Sequence, residues 1–473
     1  MSLLSRRPAL AVGSLAVALT LAACGSPESG SDDAEEAGAG TENAADESAG
    51  EESGEESGGE EVEVATLDPR IVLTYDGGVM TLDTGNGEVV DDVELEGYLR
   101  VNQAGDGRHV LVTTPDGFQA YDSGLSAVAH GDHYHYYESD PSLTNLVFPA
   151  DHAGHVVTHD GVTALFADGT GEVTFFDPAD LAEGEATDAG DLIADTWTAP
   201  EAHHGVAVPL HDRLVVTDGN EDSRSGVRML DADREEVTAT DDCPGVHGEA
   251  AAADDRVVFG CENGPVVLDG EEFVKVPVQD EYARSGNLFG TPDSPIVLGD
   301  YKVDADAELE RPERIALIDS GDASLELVDL GASYSFRSLA RGPEGEALVL
   351  TTDGALRVID EETGEETASI PVVEEWEEPV EWQEARPAVR VADSIAYVTE
   401  PATDQVHAVD LSAGEVVQSY DLPHTPDELA VSTGFPPEEH GEDGGHEGHD
   451  HGEEGHEGHD HGEEDHAEED HDH

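Results

Sequence analysis

The sequence predicts an all-β fold, a β-propeller of eight blades, with seven as the alternative count. Three observations lead there. Apolar residues between 62 and 437 show little helical periodicity and fall into short runs separated by Asp/Gly turns, as in "RIVLTYDGGVMTLD", "RHVLVTTPDGFQAYD" and "VTALFADGTGEVTFFD". Each run reads as strand, Gly-containing turn and second strand. The second strand ends in a large apolar residue plus Asp, and this ending recurs eight times: Leu82-Asp83, Tyr121-Asp122, Phe176-Asp177, Leu230-Asp231, Leu268-Asp269, Ile318-Asp319, Ile359-Asp360 and Val409-Asp410. A return every ~40–50 residues, with about four short strands per unit, is the pattern of propeller blades. A pair of β-sandwiches would not require so regular an ending.

The ends of the chain differ from the middle. Residues 1–24 read as a secretory signal: Arg6 and Arg7, then an apolar run from Ala9 to Leu21, too short for a lasting membrane span. It closes on "LAAC", which matches a bacterial lipobox and makes Cys24 the expected lipidation site. The protein is therefore expected outside the cytoplasm, lipid-anchored to the outer face of the cell membrane. Residues 25–61 are Ser, Gly, Ala, Glu and Asp, a disordered acidic linker with too little apolar surface to offset the entropy of ordering. Residues 62–437 form the expected folded domain, and 438–473 a disordered tail rich in His, Asp and Glu.

The chain carries 110 acidic and 20 basic side chains, a net charge of −90. Nucleic acid and anionic lipid surfaces both require positive patches, so this balance speaks against them as partners. Cys243 and Cys261 lie 18 residues apart. In an oxidising compartment they read as a disulfide, with metal ligation as the alternative.

Histidine placement carries the functional reading. His155, His204 and His247 occupy the same place in three successive units, just before or at the start of a strand. In a propeller such positions meet at the mouth of the central channel. Nearby, "AHGDHYHYYESDP" supplies His130, Asp132, His133 and His135, read as a loop between blades. Imidazole with carboxylate and no thiolate suits a borderline divalent ion, zinc by default, with copper or nickel as alternatives. His152, His159, His203 and His211 rank below these, and His109, His407 and His424 read as structural or surface residues. In the tail, "HEGHDHGEE" occurs twice, and His440, His446, His449, His451, His456, His459, His461, His466, His471 and His473 form a flexible metal-capture segment.

Together the HGDHxH segment, "HHGVAV", "CPGVHGEA…FGC" and the His/Asp-rich flexible segment resemble the AztD family of zinc metallochaperones. That resemblance implies an extracytoplasmic propeller that holds Zn²⁺ and passes it to the solute-binding protein of a zinc ABC importer, without being an enzyme. It maps His130, Asp132, His133 and His135 to the family's HGDHxH segment, His204 and His247 to its HG motifs, and Cys243 and Cys261 to a disulfide. The tail departs from the pattern by being C-terminal. Two other readings remain: a passive metal sink or storage lipoprotein, and a metal-dependent propeller hydrolase with Asp132 or Glu249 as base. With a reference imidazole pKa near 6.5, metal binding is expected to weaken below about pH 6.

Overall fold

The computed structural model describes residues 61–131 and 133–436. The expected signal segment, Cys24, residues 25–60, Asp132 and every tail histidine from His440 to His473 lie outside the described residues.

Strands make up nearly all of the regular structure. Among the described residues there are eight four-stranded antiparallel sheets and one three-stranded sheet. Each four-stranded sheet is a meander in which a short leading strand pairs with the second, the second with the third and the third with the fourth. The leading strands of the second to eighth sheets are Val101–Gln103, Ala153–His159, Ala207–Leu210, Glu249–Ala252, Leu288–Phe289, Leu339–Arg341 and Val389–Ala392. The first sheet takes its leading strand from the other end of the chain: Leu429–Ser432 pairs with Arg70–Tyr75, with Ile71 opposite Val431.

Alternation along each strand decides which neighbour a side chain meets. Ile71 and Leu73 point toward the eighth sheet, where they pack with Tyr397, Val406 and Ala408. Val72, between them in sequence, points the other way and packs with Val101, Val110 and Val112 of the second sheet. The same division holds throughout. Every sheet buries one face against the sheet before it and one against the sheet after, and the eighth closes onto the first. Both faces are therefore apolar, which is why the second and third strands read as continuous hydrophobic runs.

The apolar-Asp endings terminate the third strand of all eight sheets. The apolar member is buried in the core at every copy. The Asp carboxylate turns back on the chain beyond the strand: Asp83 accepts from the Gly85 and Asn86 N–H groups, Asp319 from Gly321 and Asp322, Asp360 from Thr363, and Asp410 from Ala413. A short carboxylate that satisfies turn amides is the physical reason Asp recurs here. In three of these turns the Asp carbonyl also accepts from a glycine four residues on, Gly87, Gly364 or Gly414. Each glycine has φ near +65 to +75°, a conformation that β-carbons disfavour.

The HGDHxH segment differs from its expected form. It is a β-hairpin, Leu125–His130 with His133–Glu138, inserted between the third and fourth strands of the second sheet. Val62–Val64 adds a third strand to it. Gly131, at φ +69°, allows the tight reversal.

Cys243 and Cys261, both buried, form a disulfide joining the exit of the fourth sheet to the segment just after the second strand of the fifth, Arg256–Phe259. With a separation of 18 residues, loop-closure entropy puts its contribution at about 3 kcal/mol. Reduction should lower the unfolding free energy measured by denaturant titration by that amount; an unchanged free energy would show that the fifth sheet holds without it.

Candidate metal centres

The starts of all eight leading strands contribute to one cavity of about 600 Å³, with Arg100, His155, His204, His247, Asn287, Arg337, Arg390 and Glu428 drawn from successive sheets. His155 lies in the leading strand of the third sheet, His204 three residues before that of the fourth, and His247 two residues before that of the fifth. One ring nitrogen from each lies within 4.8 Å of the other two. Ring centroids are 4.6, 5.1 and 5.2 Å apart.

The other ring nitrogens are all engaged. His155 Nδ1–H donates to the Gly205 carbonyl at 2.9 Å, and His247 Nδ1–H to the Gly286 carbonyl at 2.7 Å. His204 Nδ1–H donates to Asp168 Oδ2 at 2.6 Å. A carbonyl can only accept, so the proton of a neutral ring is fixed on Nδ1 and the lone pair on Nε2. Burial, followed by the charges of His247 and His204, pushes His155 well below the ordinary imidazole range. Burial pushes His247 down to about 3, with Arg224 and Arg284 adding to the effect against the Gly286 hydrogen bond. Both rings are therefore neutral at pH 7. His204 Nε2 and His247 Nε2 face each other at 3.1 Å. Tetrahedral zinc with Zn–N of about 2.0–2.1 Å requires N···N spacings of about 3.3 Å, close to the 3.1 Å between His204 and His247.

A second cluster sits on the hairpin. His130 and His133 are directly opposed across the two strands, and His135 follows two residues later on the same face. Their ligand nitrogens also lie within 4.8 Å of one another, and their centroids are 5.1–5.3 Å apart. His130 and His133 are exposed and His135 is half-buried. Glu63, on the added strand, takes a hydrogen bond from His135 Nδ1 at 2.8 Å. The seven residues grouped by sequence thus divide into two centres of three imidazoles each, with Asp132 outside the described residues.

The remaining histidines are committed elsewhere. His203 is buried against Phe166 and bonded to Glu201 and Thr217. His152 pairs with Asp151, His159 with Asp160, and His211 with Asp160 and Asp255. His109 is buried on Asp106 and His407 on Glu400, while His424 stacks on Tyr75 at the surface. Glu249 lines the same cavity as the first cluster, and burial pushes its carboxyl up to about 8. Asp168, Glu63 and the two carbonyl acceptors are what the sequence reading missed. Asp168 and Glu63 have no spacing that marks them among 110 acids, and a carbonyl has no residue type to find.

The geometry alters the expected pH response. A lowered folded pKa means that protons displace metal only at lower pH, so the channel-side cluster should keep zinc well below pH 6. Metal content of dialysed protein across pH 7 to 4 should fall by less than half at pH 5; half-release near pH 6.5 would contradict the buried-imidazole argument. Asp168→Asn should weaken zinc binding at this cluster by about 10- to 100-fold, because His204 loses the carboxylate that orients it. Competition with a chelator measures this, and equal affinity would remove Asp168 from the site.

No protein-family model matches the sequence. The chain is 27% identical over 340 residues to the zinc chaperone AztD of Citrobacter koseri, spanning 70% of this chain and 77% of that protein. Its fold matches the crystal structure of Citrobacter koseri AztD with a TM-score of 0.66 at 23% identity, over 77% of this chain and 96% of the other. The apo AztD structure from the same organism matches equally, TM-score 0.66 at 22% identity, over 78% and 98%. The AztD-type resemblance read from the histidine and cysteine motifs is thus carried by most of the chain, in sequence and in fold.

Proposed function

We propose that this protein is an extracytoplasmic zinc metallochaperone built as an eight-bladed β-propeller, which captures Zn²⁺ and passes it to the solute-binding protein of a zinc ABC importer. The observation that carries the reading is the set of inward-facing imidazoles, His155, His204 and His247, each with its Nδ1 occupied, two of them with Nε2 atoms 3.1 Å apart. The blade reading is supported by eight four-stranded sheets that pack in a closed cycle. Similarity to a protein named as a zinc chaperone supports zinc as the cargo.

The two centres divide the work. The channel-side cluster is half-buried and preorganised, suited to holding metal; the hairpin cluster is open to solvent, suited to exchange. Three protein ligands leave a coordination position through which a partner's ligand can enter, so transfer proceeds by ligand exchange without free ion. The tail, from His440 to His473, concentrates zinc near the surface. Cys24 anchors the chain to the outer face of the membrane, where the solute-binding protein also works. Among the described residues no helix is long and apolar enough to cross a membrane, and a disulfide suits an oxidising compartment. We read the protein as a carrier rather than an enzyme: a hydrolase would place an ionised base beside the metal, and burial keeps the Glu249 carboxyl protonated up to about pH 8.

Zinc per chain separates this from a passive sink. Protein ending at residue 436 should hold two zinc ions. His155→Ala/His204→Ala/His247→Ala should remove the tighter one, and His130→Ala/His133→Ala/His135→Ala the faster-exchanging one. A purified apo solute-binding protein should draw zinc from the loaded chain faster than an equally strong chelator does. Equal rates would leave storage as the better reading.

A further inference from the structure

The cavity that holds the three imidazoles is cationic on its other side. Arg100, Lys302, Arg337 and Arg390 line it, against the acids Glu249 and Glu428. In a chain with 20 basic and 110 acidic residues, composition alone does not deliver four cations to one cavity. Glu428 is already committed, 3.1 Å from Arg100 Nε and 3.0 Å from Arg337 Nη2. Arg337 also holds Asp427 and the Tyr98 hydroxyl, yet its buried Nε has no hydrogen-bond partner. Lys302 stands 3.9 Å from Asp300.

Arg390 is the cation left over. It is half-buried at the start of the eighth sheet's leading strand, and among the described residues it has no ion pair. Its Nη1 donates to the adjacent Val389 carbonyl at 2.8 Å. Burial lowers its guanidinium below the ordinary range; Glu428 offsets this, and Arg100 and Arg337 add to it. A half-buried guanidinium with unused donors, held among like charges, is an arrangement that recruits an oxyanion. Arg100 is also felt at His155, and Arg224 and Arg284 at His247. Three neutral imidazoles leave a bound Zn²⁺ with its full charge amid these cations, so both sides of the cavity favour an anion.

We propose that the cavity binds a small dicarboxylate, one carboxylate on Arg390 with Arg100 beside it, the other directed to the coordination position left open by His155, His204 and His247. The metal-side contact rests on the zinc reading above; the Arg390 contact does not. Anion and zinc then raise each other's affinity by the same factor, as linkage requires.

Calorimetric titration of metal-free full-length protein at constant ionic strength tests this, with succinate, acetate and sulfate as probes. Succinate should bind at least 10-fold more tightly than acetate, and Arg390→Gln should weaken succinate at least 10-fold. Repeating the titration on zinc-loaded protein should tighten succinate further. Equal binding of succinate and acetate, or no loss in R390Q, overturns the anion site; sulfate matching succinate overturns the dicarboxylate assignment. Should R390Q fail to fold, the wild-type ranking and Arg100→Gln decide. Succinate bound by metal-free protein whose histidine cluster retains no zinc sinks the zinc reading and leaves the anion site standing; zinc retained without succinate binding does the reverse.

Discussion

The pairing of Leu429–Ser432 with Arg70–Tyr75 is the constraint on which the remaining geometry depends. It joins residues more than 350 apart in sequence and gives the first sheet its leading strand. Through that strand the first sheet packs on both the eighth and the second. Each sheet is apolar on both faces and is stable only between two neighbours. An open stack would expose two such faces; the closing pair removes both. Once the cycle is closed, the starts of the leading strands have nowhere to go but toward one another. Imidazoles 49 and 43 positions apart in sequence are then brought within coordination distance without any local motif.

Much of this was legible in the residues. The apolar-Asp ending could be read because it has a local cause: a buried side chain ends the strand, and a carboxylate caps the turn that follows. His155, His204 and His247 could be grouped because equivalent positions in a repeat become equivalent positions in space. The hairpin was read as a loop because its six-residue strands are exposed on much of their surface and lack the apolar runs that marked the others. Its role as a separate centre followed only from pairing, since the strand that completes it, Val62–Val64, comes from some 60 to 70 residues earlier in the chain. Asp168 reaches His204 across 36 residues and Glu63 reaches His135 across 72. Such partners are set by tertiary register, which no spacing rule encodes.

The electrostatics divide the protein by region. Among the described residues many acids face solvent, several accepting from turn amides, and they supply a general attraction for cations. The cavity inverts that sign with a handful of arginines on sheets that carry no histidine at the equivalent place. Desolvation is what lets these regimes coexist. The same burial that strips protons from His155 and His247 leaves Arg390 short of a counter-charge.

The covalent link between Cys243 and Cys261 encloses His247, which lies a few residues after the first cysteine. That loop also carries the Gly260 carbonyl, which accepts from the His247 N–H at 3.2 Å and steadies the backbone from which the ring projects. A chain with free thiols lacks this brace, so the proposed third ligand is held less firmly until the two cysteines are oxidised.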